Sequence, residues 1–545
     1  MNRFRLVSAL LVLTFLFLAC STATSPLNSS PQGDPNTLQI VAGSEVKTLA
    51  DAGVFDDFTK QSGIKINITF KGSVDIKNSI KRTNANNPKD VDVYWPASTL
   101  QLSGNPSTIT PSHAMKSYVL VMIDPKVVKS LGWDPKNVSM LDFIAAVKSG
   151  QIQLAMTSAS QSNSGQTFYM AALTALCGKR VLVEDCLTRT DVVNNIKTLL
   201  AGVNRSSESS GKLLQVFIDD KTSGTNKFNA MVTYESLFIE GNKTLASSGN
   251  VPYMALYIKD AVAIADSPIL FIDNGIEGKL DSYNKLITYL TSPETEKKIQ
   301  SLGWRTGQIG MAIQNPDRSV FNPDWGIDVS TEFPLMEYPK ASIVNEAIDT
   351  YQTLFRKPSA TLYCLDNSGS MHDNGGRAQM LDAMNLLLNQ DRARDVALQA
   401  TSRDLTVVYA FSKITQKIGE VTGNDQATLT SLSQDIANTD LNSNTAMFDC
   451  LTVALQYVEE NYDPALAWAI IAMTDGASNA GPTSTDFLNT YRDFTTRTGY
   501  KIPVYGIAFG DPDFNQLNIL KDTGGDVYDG RSDVATAFRK AKGNN

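Results

Sequence analysis

A chain of 545 residues is too long for one hydrophobic core, so its length alone calls for several units. Its 42% apolar content is ordinary for a globular protein. A net charge of -8 without a long basic run argues against nucleic acid as the main partner and for a solvated acidic surface.

The N-terminus, MNRFRLVSALLVLTFLFLAC, sets Arg3 and Arg5 before an apolar run from Leu6 to Leu18, followed by Ala19 and Cys20. The run falls short of the roughly 20 apolar residues of a spanning helix and has the shape of an export signal. A small residue followed by cysteine resembles the lipobox of bacterial lipoproteins, although Phe17 and Leu18 depart from its preferred residues. The resemblance implies a signal peptide over residues 1–20, lipidation of Cys20 and a protein anchored to a bacterial membrane, on the cell surface or in the periplasm. The alternative is a soluble secreted protein cut nearby. Residues 21–36, STATSPLNSSPQGDPN, have almost nothing to bury and read as a flexible tether.

From Leu38 onward, short apolar runs alternate with helical patterns: LQIVAG, VFDDFTKQSG, IKINITFKGS and VDVYWPAS. That is the rhythm of a sheet with helices packed on it. It persists through QIQLAMTSAS and VPYMALYIKDAVAIADSPILFID, and a Pro/Asn/Asp/Gly-rich stretch between Gln314 and Pro339 closes the unit, placed at 37–340. Within it Cys177 and Cys186, separated by a short polar and basic stretch, are expected to form a disulfide in an oxidising compartment.

Several segments of this unit resemble type II extracellular solute-binding proteins, in which two α/β lobes hold a ligand in the cleft between them. They are IVAGSEVKTLADAGVFDDFTKQSGIKINITFKGS, DVDVYWPAS and LAMTSASQSNSGQTFYMAALTAL. The resemblance implies cleft contacts from Gly43, Ser44 and Glu45, from Ser73, and from Ser98. Ser162, Asn163, Ser164 and Gly165 precede a helix whose free N–H groups favour a polar or anionic solute, though a well-capped helix without ligand explains them equally well. Tyr234 and Glu235 are further expected cleft positions.

A linking helix follows over 341–357, stopped by Pro358. The second α/β rhythm, 358–545, runs through ATLYCLD, LTVVYAFS, AWAIIAMTD and KIPVYGIAFG, with helices at RAQMLDAMNLLLN, TAMFDCLTVALQYVEE and FLNTYRDFTTRTG. Cys364, in a strand, and Cys450, in a helix, are read either as buried thiols or as a bonded pair. Three polar loops follow predicted strands: DNSGS, LNSNTAMFDC and AMTDGASNAG. Their hard oxygen groups suit magnesium or manganese. Together they resemble the metal-ion-dependent adhesion site of the von Willebrand factor A-type (VWA) domain, which is a doubly wound, Rossmann-like fold. The resemblance implies that Ser368, Ser370, Thr445, Asp366 and Asp475 hold Mg²⁺ (or Mn²⁺), with a vacant position for an Asp or Glu carboxylate of a protein partner. Asn442, Ser443 and Asn444 stand where that family often has glycine.

Catalysis is disfavoured by inventory. His113 and His372 are the only histidines, and neither a GxSxG nor a GxxxxGK[ST] pattern occurs. The expected protein is thus a surface-anchored binding lipoprotein; the alternative is the solute receptor of an ABC-type importer with an accessory VWA domain, and the third reading is an exported hydrolase, since paired carboxylates need no local motif.

Overall fold

The computed structural model describes residues 33–86, 90–102, 110–207, 209–260, 262–307, 310–330, 333–373, 375–441, 443–531 and 533–543. The expected signal peptide, Cys20 and most of the tether lie outside them, as does Asn442. Among the described residues, eleven strands form the first unit: β1 (Thr37–Gly43), β2 (Lys65–Lys71), β3 (Val93–Trp95), β4 (Ser112–His113), β5 (Ser117–Ile123), β6 (Leu154–Ala155), β7 (Val203–Arg205), β8 (Ala230–Tyr234), β9 (Met254–Leu256), β10 (Ala263–Ala265) and β11 (Pro268–Phe271). Six more form the second: β12 (Ser359–Asp366), β13 (Leu405–Phe411), β14 (Thr415–Thr422), β15 (Ala467–Thr474), β16 (Val504–Ala508) and β17 (Val527–Asp529).

The first unit is two-lobed. One sheet runs β2-β1-β3-β11-β4, and the other runs β10-β5-β8-β6-β7 with β9 also paired to β5. The chain crosses between lobes after β4 and returns after β10. Both sheets are mixed: β1 is parallel to β2 and β3, whereas β5 is antiparallel to β8. β5 is buried along its whole length, SYVLVMI, as a strand covered on both faces must be. Cys177 and Cys186 are disulfide-bonded with Cα atoms 5.6 Å apart, closing the loop after the helix Asn163–Cys177.

The helix Ala341–Thr350 and the π-helical turn Tyr351–Phe355 are not a free linker. Val344, Ala347 and Phe355 are buried in the core of the second lobe, and the Tyr169 hydroxyl donates to the Ala347 carbonyl at 2.9 Å. The link therefore hands the chain to β12 from a fixed position on lobe two.

The C-terminal sheet has the order β14-β13-β12-β15-β16-β17, parallel except for the β13–β14 hairpin at one edge. All eight residues of β12 are buried, and alternate side chains enter two cores. Tyr363 and Leu365 pack with the helices Gly376–Leu388, Gln426–Asn438 and Val534–Gly543; Leu362 and Cys364 pack with Met447–Asn461 and Ser484–Thr498. This is a doubly wound sheet. Cys364 and Cys450 are bonded, with Cα atoms 6.0 Å apart, which resolves the open reading in favour of a cross-link between central strand and helix.

Candidate functional site

Strand order reverses between β12 and β15, and in an open parallel sheet the crevice beyond the carboxyl ends at such a point collects functional groups. Asp366 ends β12 and Asp475 immediately follows β15. Four of the five expected metal-site residues, Asp366, Ser368, Ser370 and Asp475, converge there. Asp366 Oδ1 accepts from the Ser368 backbone N–H at 2.8 Å, the Ser368 and Ser370 hydroxyls lie 3.2 Å apart, and the Ser370 hydroxyl donates to Asp475 Oδ1 at 2.8 Å.

The third loop is tied to the other two through the backbone. The Gly369 N–H donates to the Ser443 carbonyl at 3.0 Å. The Thr445 carbonyl accepts from the N–H groups of Asn479 and Ala480 at 2.8 and 3.0 Å, while its own N–H donates to Asn479 Oδ1 at 2.9 Å. The helix expected to start at Thr445 begins at Met447, so Thr445 belongs to the loop.

Asp366, Ser368, Thr445 and Asp475 are buried. Burial pushes the Asp366 carboxyl up to about 6 against the hydrogen bonds from Ser368 and Thr474, and the charge of Asp475 adds to the rise. Two carboxylates and two serine hydroxyls share one small cluster, a donor set made for a hard cation. Among the described residues no group of three or more His, Cys, Asp or Glu side chains is placed to hold a metal, so hydroxyls would supply the remaining ligands. Two positioning residues escaped the sequence reading. Thr474, whose hydroxyl donates to Asp366 Oδ2 at 2.5 Å, stood beside Asp475 in the quoted loop; Asn479 stood in the same loop as an unremarkable amide.

In the first unit the cleft is closed by the protein's own side chains. Gln101, from the turn after β3, donates through Nε2 to Asn163 Oδ1 at 3.0 Å and to Gln166 Oε1 at 2.5 Å. Asn163 Nδ2 donates to the Tyr234 hydroxyl at 3.2 Å, and that hydroxyl donates to Glu45 Oε1 at 2.9 Å. The chain of bonds runs from lobe one to lobe two and back. Burial pushes the Glu45 carboxyl up; among the described residues its Oε2 and the Gln101 Oε1 are buried without a hydrogen-bond partner. Gln101 and Gln166 were missed because single glutamines carry no motif.

The other expected cleft residues divide. Gly43 lies where an added Cβ would sit 2.4 Å from Glu45 Oε2, so it gives that carboxylate room. The Ser73 hydroxyl accepts from the Ala97 N–H at 3.0 Å, Ser98 meets the Tyr338 hydroxyl at 3.0 Å, and Ser44 is exposed. Ser162 caps its helix without a side-chain bond to it, and its hydroxyl lies 3.5 Å from that of Ser164. Ser164 is engaged with Thr157 and Ser210, at 2.9 and 2.6 Å. Gly165 packs so closely on the Thr157 carbonyl that a Cβ would approach its oxygen to 2.2 Å. Glu235 corrects the expectation: it is wholly buried, its carboxylate accepting from Arg305 Nε and Nη2 at 2.7 and 2.8 Å. It braces the core of lobe two, because a buried charge needs a full set of partners.

Two lobes joined by crossing segments around a polar cleft define the first unit as a binding-protein fold, and the doubly wound sheet gives the second the Rossmann-like fold expected of a VWA-type unit. Residues 38–305 match the family described as bacterial extracellular solute-binding protein. No curated protein matches the chain. Among solved structures, iron-bound HitA from Pseudomonas aeruginosa is 13% identical, with a TM-score of 0.40 over 57% of this chain and 96% of that one. A ferric binding protein from Campylobacter jejuni is 15% identical, with a TM-score of 0.41 over 58% and 98%. A von Willebrand factor type A protein from Catenulispora acidiphila is 16% identical, with a TM-score of 0.28 over 35% of this chain and 44% of that one. The matched family is one of extracellular binding proteins rather than enzymes. Among the described residues no helix is long and apolar enough to cross a membrane.

Proposed function

We propose that this is an exported, lipid-anchored binding protein whose VWA-type unit docks a partner protein's Asp or Glu carboxylate through Mg²⁺ or Mn²⁺. The observation that carries the reading is the convergence of Asp366, Ser368, Ser370 and Asp475 at the strand-order reversal, with the Thr445 loop bonded to both neighbours. Ser368, Ser370 and Thr445 would hold the ion by hydroxyl oxygens, and Asp366 and Asp475 would steady those ligands. When bound, the ion supplies an electrophilic position for a carboxylate. The hydroxyls are neutral, so they leave its charge largely uncompensated, and that favours an anionic sixth partner.

Calorimetric titration of the full chain with Mg²⁺ tests this. Ser370→Ala and Asp475→Asn each weaken binding about tenfold or more. An absence of saturable Mg²⁺ and Mn²⁺ binding to the wild-type chain defeats the proposal.

A second reading, capture of a solute for an importer, is favoured by the family match over 38–305. The closed cleft presents two acceptor oxygens without partners among the described residues, Glu45 Oε2 and Gln101 Oε1, and none of the five side chains linked across it is cationic. That supports a small, donor-rich polar solute over an anion. A purified chain that carries such a solute into a denaturing extraction, identified by mass, would establish the receptor role.

A further inference from the structure

A cavity of about 260 Å³ lies between lobe two, the linking turn and the amino ends of β12 and β15, at the opposite end of these strands from the candidate metal site. Every charged residue lining it is basic: Arg356, Lys357, Lys501 and Lys542. Arg356 is satisfied by Asp404, to which its Nη1 donates at 3.0 Å. Among the described residues the three lysines make no ion pair with an acid within 4.0 Å, whereas Lys221, Lys279 and Lys298 are each paired at 2.7 Å. Asp463 and Asp404 act on Lys357 and Lys542 only from a distance. Burial pushes the Lys542 amine down to about 8, the response of a cation without a close counter-charge. In a chain of net charge -8, three such lysines in one cavity are a concentrated and unneutralised field.

The rest of the lining complements that charge. Thr157, Ser158 and Ser160 bring hydroxyl donors from the loop that leads into the helix Asn163–Cys177. Tyr462 and Trp468, stacked with centroids 5.9 Å apart, form an apolar wall on the VWA side. The volume is near the lower end for small-molecule sites.

We propose that this junction binds a small, multiply charged phosphoryl oxyanion, such as a phosphate monoester, held by Lys357, Lys501 and Lys542 together with the hydroxyls of the 157–160 loop. The ligand touches both units and so ties the loop behind the interlobe cleft to the base of the VWA sheet.

Calorimetry on the full chain with inorganic phosphate, at constant ionic strength, tests it. One equivalent binds saturably. Removing each charged donor weakens binding roughly tenfold, so Lys357→Gln/Lys501→Gln loses about a hundredfold. Both lysines are exposed, so this variant keeps the wild-type melting curve, and Lys542→Gln provides a separate, deeper loss. No saturable binding at millimolar phosphate, or wild-type affinity in the folded double variant, overturns the proposal.

Discussion

Glu235→Ala is the sharpest test of how lobe two is held together. It removes the carboxylate facing Arg305, and both side chains have no solvent exposure. The guanidinium cannot swing to water, because Nη1 donates to the Met311 carbonyl at 2.6 Å and Nη2 to the Asp328 carbonyl at 2.7 Å. It also lies 4.6 Å from the centre of the Tyr118 ring. An unpaired buried cation of this kind costs about 3–5 kcal/mol. For a unit of this size that lowers the unfolding midpoint by about 5–8 °C. Urea unfolding followed by circular dichroism reads the loss directly. Glu235→Gln keeps the shape and one acceptor oxygen, and loses less. Glu235→Leu/Arg305→Met removes both charges and recovers most of the stability, since an apolar pair of similar volume can replace a buried ion pair. A loss below about 1 kcal/mol, the range of exposed pairs, would refute the reasoning. So would a double variant no better than Glu235→Ala.

Gly165→Ala forces a methyl group to within 2.2 Å of the Thr157 carbonyl oxygen. Backbone must move, so about 1–3 kcal/mol is lost in denaturant melts. The Arg356–Asp404 pair gives a pH signature. Burial pushes the Asp404 carboxyl up, but Arg356 outweighs it and holds it at about 2. The folded value is below the ordinary 3.8, so the pair's stabilisation of about 2 kcal/mol is complete above that pH and disappears as pH falls through 2. Arg356→Gln removes this part of the acid-unfolding curve. Cys364→Ala/Cys450→Ala opens a cross-link spanning 86 residues and lowers the stability of the VWA unit by about 4 kcal/mol, read by calorimetric melting.

The strands of the VWA unit were legible because they are buried on both faces. Continuous apolar runs such as ATLYCLD and AWAIIAMTD mark β12 and β15 to within a residue or two. β14, TQKIGEVT, was not marked: it is an exposed edge strand whose pairing with β13 supplies what its composition lacks. Asp366, Ser368, Ser370 and Asp475 could be grouped from the sequence because they fall in polar loops directly after the apolar runs of β12 and β15. The cleft could not be apportioned in the same way. Ser164, Gly165 and Glu235 have residue types that suit ligand contact, yet the first two serve packing and the last an internal ion pair with Arg305, 70 residues away. Only distance in the fold separates those uses.

The placement of the two units follows from where the link enters. Chain leaving the turn Tyr351–Phe355 reaches the amino end of β12 at Ser359, so lobe two must meet the VWA sheet along its amino edge. Lys212 of lobe two meets Asp526 just before β17, and Asp75 of lobe one meets Arg539 in the C-terminal helix, so both lobes touch the C-terminal unit. β12 runs eight residues from Ser359 to Asp366, roughly 23 Å of extended chain between the two. The basic cavity and the carboxylate–hydroxyl cluster are therefore at opposite ends of one rigid strand, one enclosed between the units and the other turned away from the solute-binding fold. A partner bound at Asp366 and Asp475 need not displace lobe two, and an anion held among the lysines need not compete with a metal. Any coupling between them has to travel through β12 and β15, whose side chains are buried almost throughout.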